Sequence, residues 1–407
     1  MSEFTIQRLG HHGDGIAPGP VFAPMTLPGE VVTGTVDGDR LEDIRIVRPS
    51  ADRVSAPCRH FRSCGGCQLQ HASDRFVAGW KADVVRQALL AQGIGAEVAG
   101  VETSPPRSRR RATLSARRTK KGALAGFHGR ASGTIVDIPD CQLLHPDLMP
   151  ALKVAEDLAV TGGSRKGELS VTATLSDSGL DIAVTGGKPM DRELEVTLAD
   201  LADRHDLARL TWDGETHAMR RPPLQVFGPA RVTPPPGAFL QATREGEAAL
   251  LAEVERITGG ASRIADLFAG AGTFALPLAR RAEVLAVEGD AAMIAALDRG
   301  WRAAQGLKQV RTLTRDLFRN PLLPDEFRKI DAVVIDPPRA GAEAQVAEIA
   351  RARVPVVAHV SCNPVTFARD AAQLIAAGYA MAPVTVVDQF RWSAHVELVA
   401  GFTLTSS

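Results

Sequence analysis

The chain has 407 residues, with 47 Lys and Arg against 47 Asp and Glu and a formal net charge of zero; 45% is hydrophobic and 23% charged. This length exceeds one ordinary domain and predicts two or three. The neutral balance excludes capture of a polyanion by the field of the whole protein, so any such affinity must come from a local patch.

Met1–Gly10 lacks the apolar core of a signal peptide, and no apolar run is long enough to span a bilayer. A cytoplasmic chain with no membrane partner is expected, with its five cysteines reduced. Residues 1–52 alternate apolar and polar over short runs, Phe4 to Leu9, Val31 to Val36 and Ile44 to Val47, punctuated by Gly13, Gly15, Pro18, Gly19, Pro28 and Gly29. This predicts a small β-barrel, either a cap or a grip for nucleic acid. Next come Cys58, Cys64, Gly65, Gly66 and Cys67, with Cys141 far downstream. Four thiolates suit a tetrahedral zinc or an iron–sulfur cluster. Zinc ribbons pair two short C-x2-C knuckles, and Cys141 has no such mate, so the spacing favours [4Fe–4S].

Asp74 to Gln92 carries Phe76, Trp80, Val84, Ala88 and Leu89 near one face and predicts an amphipathic helix. Arg107 to Lys121 then places eight cations in fifteen residues. Its alternation through Ala112, Leu114 and Ala116, broken at Lys120-Lys121-Gly122, predicts a hairpin, and its charge predicts a phosphate footprint centred on Arg109, Arg110 and Arg111. Leu169 to Leu175 and Leu180 to Val184 read as strands without evident chemistry. Pro234-Pro235-Pro236-Gly237 reads as a linker, followed by Gln241 and a helix from about Glu245 to Ile257.

From Arg263 the pattern is strand, glycine turn, helix, strand. Ile264 to Phe268 is the first strand, Ala269 to Phe274 the turn, and Val284 to Val287 a second strand that ends at Glu288. An acid at that spacing suits a ribose hydroxyl pair, and Gly270-x-Gly272-x-x-Ala275 also fits a relaxed dinucleotide fingerprint. Asp266, Asp316 and Asp336 add further carboxylates at expected strand ends. So many acids would repel a pyrophosphate and fit S-adenosylmethionine better. Val354 to Val360 predicts a buried strand that delivers Cys362 to its carboxyl end, where open α/β sheets bind ligands; Pro364 biases Asn363 away from helix.

Assembled, these residues resemble the RNA (uracil-5-)-methyltransferases, and the similarity covers nearly the full length. Leu27-Pro28-Gly29-Glu30 is similar to part of a TRAM domain, an RNA-binding barrel. Cys58, Cys64, Cys67 and Cys141 match the family's iron–sulfur ligands, and Phe239-Leu240-Gln241 its cofactor segment. Asp336-Pro337-Pro338-Arg339, Ser361-Cys362-Asn363-Pro364 and His395-Val396-Glu397 match its three signatures. Phe390-Arg391-Trp392-Ser393 departs from the usual Phe-Pro-Gln-Thr, and Thr273 stands where many relatives carry Asn.

The resemblance implies an α/β chain: an OB-like TRAM barrel over residues 1–52, a central α+β iron–sulfur domain over 53–233, and a Rossmann-like methyltransferase domain over 234–407. It implies that Gln241, Phe268, Thr273, Glu288, Asp316 and Asp336 contact S-adenosylmethionine, that Cys362 is the nucleophile and that Glu397 is the base. The TRAM-plus-cluster layout is most similar to the enzyme acting on 23S rRNA, with the transfer-RNA branch as the alternative; a monomer is expected. C5 of uracil is a poor nucleophile until a thiolate adds at C6, and the adduct must then lose its C5 proton to a base. A site that lowers the Cys362 pKa is therefore expected. The rivals are an adenine amino-methyltransferase, which needs no cysteine, and a non-catalytic iron–sulfur RNA-binding protein, which needs no Cys362, Glu397 and cofactor pocket together.

Overall fold

The computed structural model describes residues 2–405. Residues 2–48 form a six-stranded, mostly antiparallel sheet, ordered Ser2–Thr5, Val31–Asp37, Arg40–Arg48, Val21–Ala23, Gly15–Ala17, Arg8–Leu9. It closes over Ile6, Ala17, Val21, Ala23, Val32 and Leu41. Burial alternates in Val21–Ala23 but not in Gly15–Ala17, which is buried throughout, nor in Val31–Asp37, which is buried at its start and exposed at its end.

A seven-stranded sheet occupies the middle of the chain, ordered Ile135–Val136, Gly122–His128, Arg111–Thr119, Leu169–Ser176, Gly179–Thr185, Arg209–Trp212, Glu215–Met219. The basic run does form the expected hairpin, with Arg117 opposite Leu124 and Thr119 opposite Gly122. The helices of this region, Ala151–Gly162 and Arg192–Arg204, bury Val154, Leu158, Leu198 and Leu201 against the sheet.

The third sheet carries the candidate site residues of the C-terminal region. Its strands are β1 (Val98–Thr103), β2 (Arg263–Leu267), β3 (Glu283–Glu288), β4 (Val310–Thr314), β5 (Ala332–Ile335), β6 (Val356–Ser361), β7 (Tyr379–Met381), β8 (Val384–Asp388) and β9 (Glu397–Leu404). The spatial order is β4-β3-β2-β5-β6-β9-β8-β1, with β7 paired to β9. β2 to β6 are mutually parallel, and β9 runs antiparallel between β6 and β8. Near-continuous apolar strands such as Ala332–Ile335 are what a sheet covered on both faces requires. The order reverses at β2 and β5, which makes their carboxyl ends the crevice where a doubly wound sheet binds ligands.

The packing divides the stretch 53–233 between the middle sheet and the third. β1 pairs with β8 as an edge strand of the third sheet, and the helix Asp74–Leu90, here α1, packs Val85 and Leu89 into that sheet's core. The reason is the apolar face of α1, which has no core of its own to enter. α2 (Arg244–Ile257) opens with Thr243, whose Oγ accepts from Gly246 N, and covers the opposite face with Leu250 and Val254.

Candidate active site

Every candidate of the C-terminal region stands at one edge of the third sheet, because parallel strands end together. Asp266 lies in β2, Glu288 ends β3, Asp316 follows β4, Asp336 follows β5 and Cys362 follows β6. Glu397 opens β9, whose antiparallel course begins where β6 ends. The ladder pairs Ser361 with Leu398, so the next residues outward, Cys362 and Glu397, face each other across two neighbouring strands. Asn363 caps the following helix, α3 (Pro364–Ala376), in extended conformation with φ −139°, and Pro364 takes the first helical position, where its missing N–H costs nothing.

Glu397 is buried and receives Gln389 Nε2 on Oε2 at 2.6 Å. Gln389 also donates to Gln241 Oε1 at 2.5 Å, and Gln241 Nε2 reaches Asp336 Oδ2 at 3.3 Å. Burial, then the charge of Asp336, push the Glu397 carboxyl up to about 8; burial pushes Asp336 up to about 7. The expected lowering at Cys362 is not met. Burial first, then the facing charges of Glu397 and Asp336, push its thiol up to about 11, opposed by Arg339. A thiol placed opposite Glu397 is placed beside negative charge, and Arg339 does not outweigh that.

Of the cofactor candidates, Phe268, Glu288, Asp316 and Asp336 stand at or just past the carboxyl ends of β2, β3, β4 and β5, with Thr273 in the turn after β2. Phe268 follows β2 with φ 62°, a strained conformation for an aromatic residue, and its ring lies 5.4 Å from that of the exposed Phe318. Asp316 accepts from Phe318 N at 3.0 Å. Glu288 Oε2 accepts from Gly270 N at 3.0 Å, which ties the acid to the glycine turn. At Gly272, φ is +103° and a Cβ would stand 2.6 Å from Leu276, so the turn requires glycine. Thr273 is half-buried in the same turn. Asp266 is fully buried with neither Oδ partnered, and its carboxyl is pushed well up by burial and by Asp336. Orphaned acceptors among acids fit a cationic ligand that brings its own donors, and do not fit a pyrophosphate.

Within the basic run Arg109, Arg110 and Arg111 are engaged by protein groups, while Arg107, Arg117, Lys120 and Lys121 stay exposed. Arg110 is buried, bonding Glu247 at 2.5 Å and the Gln241 carbonyl at 3.1 Å. Arg111 donates to the carbonyls of Ala238 and Gly237. Arg109 donates to the Arg111 carbonyl and lies over the Phe390 ring. These arginines fasten the central hairpin to the catalytic region. A cleft of about 1220 Å³ runs from Cys362 and Arg339 past Arg75 and Trp80 of α1 to Arg8 and His12 of the first sheet.

Cys58, Cys64, Cys67 and Cys141 do converge, lining one enclosed cavity of about 20 Å³ with Phe61, Ile138 and Leu143. That volume suits a single water, and no group of three or more His, Cys, Asp or Glu among the described residues is placed to hold a metal ion. The expected ligand set is thus present as neighbours and not as a coordination sphere. Burial raises Cys64, Cys67 and Cys141, the second of them to about 12. Cys67 and Phe61 also pack on Trp392.

Sequence reasoning missed Gln389 and the buried pair Lys81–Asp388, 2.5 Å apart, which ties α1 to the end of β8. A polar Asp-Gln step ending the apolar run Val384–Val387 was the available signal.

A family model described as tRNA (uracil-5-)-methyltransferase matches residues 235–406. An uncharacterized RNA methyltransferase of Brucella suis biovar 1 is 45% identical over 98% of this chain and 97% of its own. The 23S rRNA (uracil(1939)-C(5))-methyltransferase of Halomonas elongata is 33% identical over 97% of this chain and 88% of its own. In fold, the chain is similar to Pyrococcus abyssi tRNA (uracil-54, C5)-methyltransferase in complex with S-adenosyl-L-homocysteine, with a TM-score of 0.76, 22% identity and coverage of 98% of this chain and 99% of the other.

Proposed function

The chain belongs to the S-adenosylmethionine-dependent RNA (uracil-5-)-methyltransferase family, and from this premise we propose that it forms 5-methyluridine in 23S rRNA with Cys362 as nucleophile and Glu397 as base. The observation that carries the reading is the opposition of Cys362 and Glu397 across β6 and β9, with Cys362 lining a cleft and Glu397 buried behind it. Cys362 gives up its proton to solvent and Sγ adds to uracil C6, leaving an enolate across C4 and C5. S-adenosylmethionine, when bound, supplies the methyl group to C5 and a sulfonium charge beside the acids. Gln241, Phe268, Thr273, Glu288, Asp316 and Asp336 would hold it. Glu397 then takes the C5 proton, and the electrons of that bond expel the thiolate from C6.

The target base must be unstacked to reach Cys362, which costs a few kcal/mol and favours unpaired uridines. The cleft supports this reading: Trp80 offers a stacking face and Arg8, Arg75 and Arg339 offer phosphate partners. The Halomonas relative supports 23S rRNA, and the transfer-RNA alternative rests on the family description. Mapping 5-methyluridine in both RNAs from cells lacking the protein separates them. RNA carrying 5-fluorouridine tests the chemistry, because fluorine at C5 cannot be removed by a base. A covalent complex that needs cofactor and Cys362 is expected; its absence would also favour a non-catalytic RNA-binding protein.

For the four thiols we propose a [4Fe–4S] cluster. Soft donors without a competing carboxylate in the cavity support it, as do Arg109 and Arg130 beside the thiolates. Loading it would spread the thiols apart. Anaerobically purified protein should be brown and contain iron, and colourless protein with stoichiometric zinc refutes the cluster.

A further inference from the structure

We propose that Gln389 is a positioning residue that aims the Glu397 carboxylate at the C5 proton and couples it, through Gln241, to the cofactor side of the pocket. The inference rests on the uracil-C5 reading above. The direction of the Gln389 amide follows from its neighbours. The backbone N–H of Ala242 can only donate, and it meets Gln389 Oε1 at 2.6 Å. The NH2 end must therefore face inward, where both of its hydrogens are taken, one by Glu397 Oε2 and one by Gln241 Oε1. Gln241 then has only its own NH2 left for Asp336. A run of four side chains, Asp336–Gln241–Gln389–Glu397, thus has one permitted direction of donation.

The backbone also makes room for this amide. A Cβ on Gly246, in the first turn of α2, would stand 2.5 Å from Gln389 Cβ and 3.2 Å from its Oε1. An amide neither gives nor takes a proton near neutral pH, so Gln389 acts on the base and not in its place. The groups facing Glu397 are Asp336 from the end of β5, Cys362 from the end of β6 and Gln389 from the end of β8. Two of these are acids, and Gln389 supplies the donor that favours the ionised carboxylate against them.

Gln389→Met keeps the length of the side chain and removes donors and acceptor together. With RNA and S-adenosylmethionine, its kcat should fall about 10- to 100-fold while KM for the cofactor moves less than about threefold. A covalent protein–RNA species, scarce in the wild type, should accumulate, and the rise of kcat with pH should shift upward. Gly246→Ala keeps all four side chains of the run but displaces Gln389, its new Cβ also standing 2.9 Å from the capping Thr243 Oγ1, and should trap the same species. Retained binding of S-adenosylhomocysteine shows that a variant is folded, and the isosteric Gln389→Glu replaces either one that is not. A wild-type kcat with a raised KM, or a slowed variant without trapped RNA, overturns the proposal. Wild-type protein that yields neither methylated RNA nor the fluorouridine complex overturns the functional reading instead.

Discussion

Glu397 is under electrostatic tension, because its carboxyl sits buried beside Asp336 and opposite a thiol. Its folded pKa, about 8, lies above the ordinary carboxylate value, so its contribution to stability is full at low pH and is lost as pH rises through about 8. Glu397→Gln removes that slope. The melting temperature of the variant should exceed that of the wild type by a margin that grows from pH 5 to pH 8.5, reflecting on the order of a few kcal/mol. A margin that does not change with pH would mean that this acid titrates as if exposed. The high thiol pKa of Cys362 has the same origin, and relief must come from charge that arrives with the ligands. None of this is visible in Ser-Cys-Asn-Pro or His-Val-Glu as motifs. Each names a reactive atom, and only the pairing of β6 with β9 sets the two against each other.

Among elements, the central hairpin behaves as a clamp. Arg110 and Glu247 join it to α2 with side chains 4% and 14% exposed. Removing one partner strands the other charge in a dry seam. Arg110→Met should cost about 3–5 kcal/mol in chemical denaturation, while the salt slope of RNA binding stays unchanged. A flattened salt slope with full stability would place Arg110 in the phosphate footprint. The helix α1 is a second joint. Its Lys81 pairs with Asp388 at the end of β8, one residue before Gln389, and Arg391 reaches Asp74 and the Ser104 carbonyl. The loop before Glu397 is therefore held by α1 and by Ser104, just past β1, segments that lie far earlier in the chain. Its departure from the usual Phe-Pro-Gln-Thr is thereby accounted for at two positions: Arg391 makes these bonds, and Trp392 adopts φ 60° and accepts from Gln68 N and Leu69 N.

At the scale of the whole molecule, the first sheet, α1 and the catalytic edge enclose one cleft, so binding and chemistry are tested separately. Trp80→Ala should weaken RNA binding by about 1–3 kcal/mol with S-adenosylhomocysteine binding unchanged. Arg75→Ala should reduce the slope of log K against log salt by about one. Unaltered RNA affinity in both would move the RNA elsewhere. The sequence by itself determined what is local and periodic: the α/β class, the glycine turn after β2, the carboxyl-end placement of Asp336 and Cys362, and the clustering of three cysteines. These follow from spacing along a strand or turn, which a single chain segment specifies. Tertiary structure alone decided what depends on pairing distant segments: that Arg109, Arg110 and Arg111 face protein, that β1 joins the catalytic sheet, and that Gln389 links Glu397 to Gln241. A charge in a sequence has no partner until the fold brings one within hydrogen-bonding distance, and burial then determines whether that charge meets solvent or another side chain.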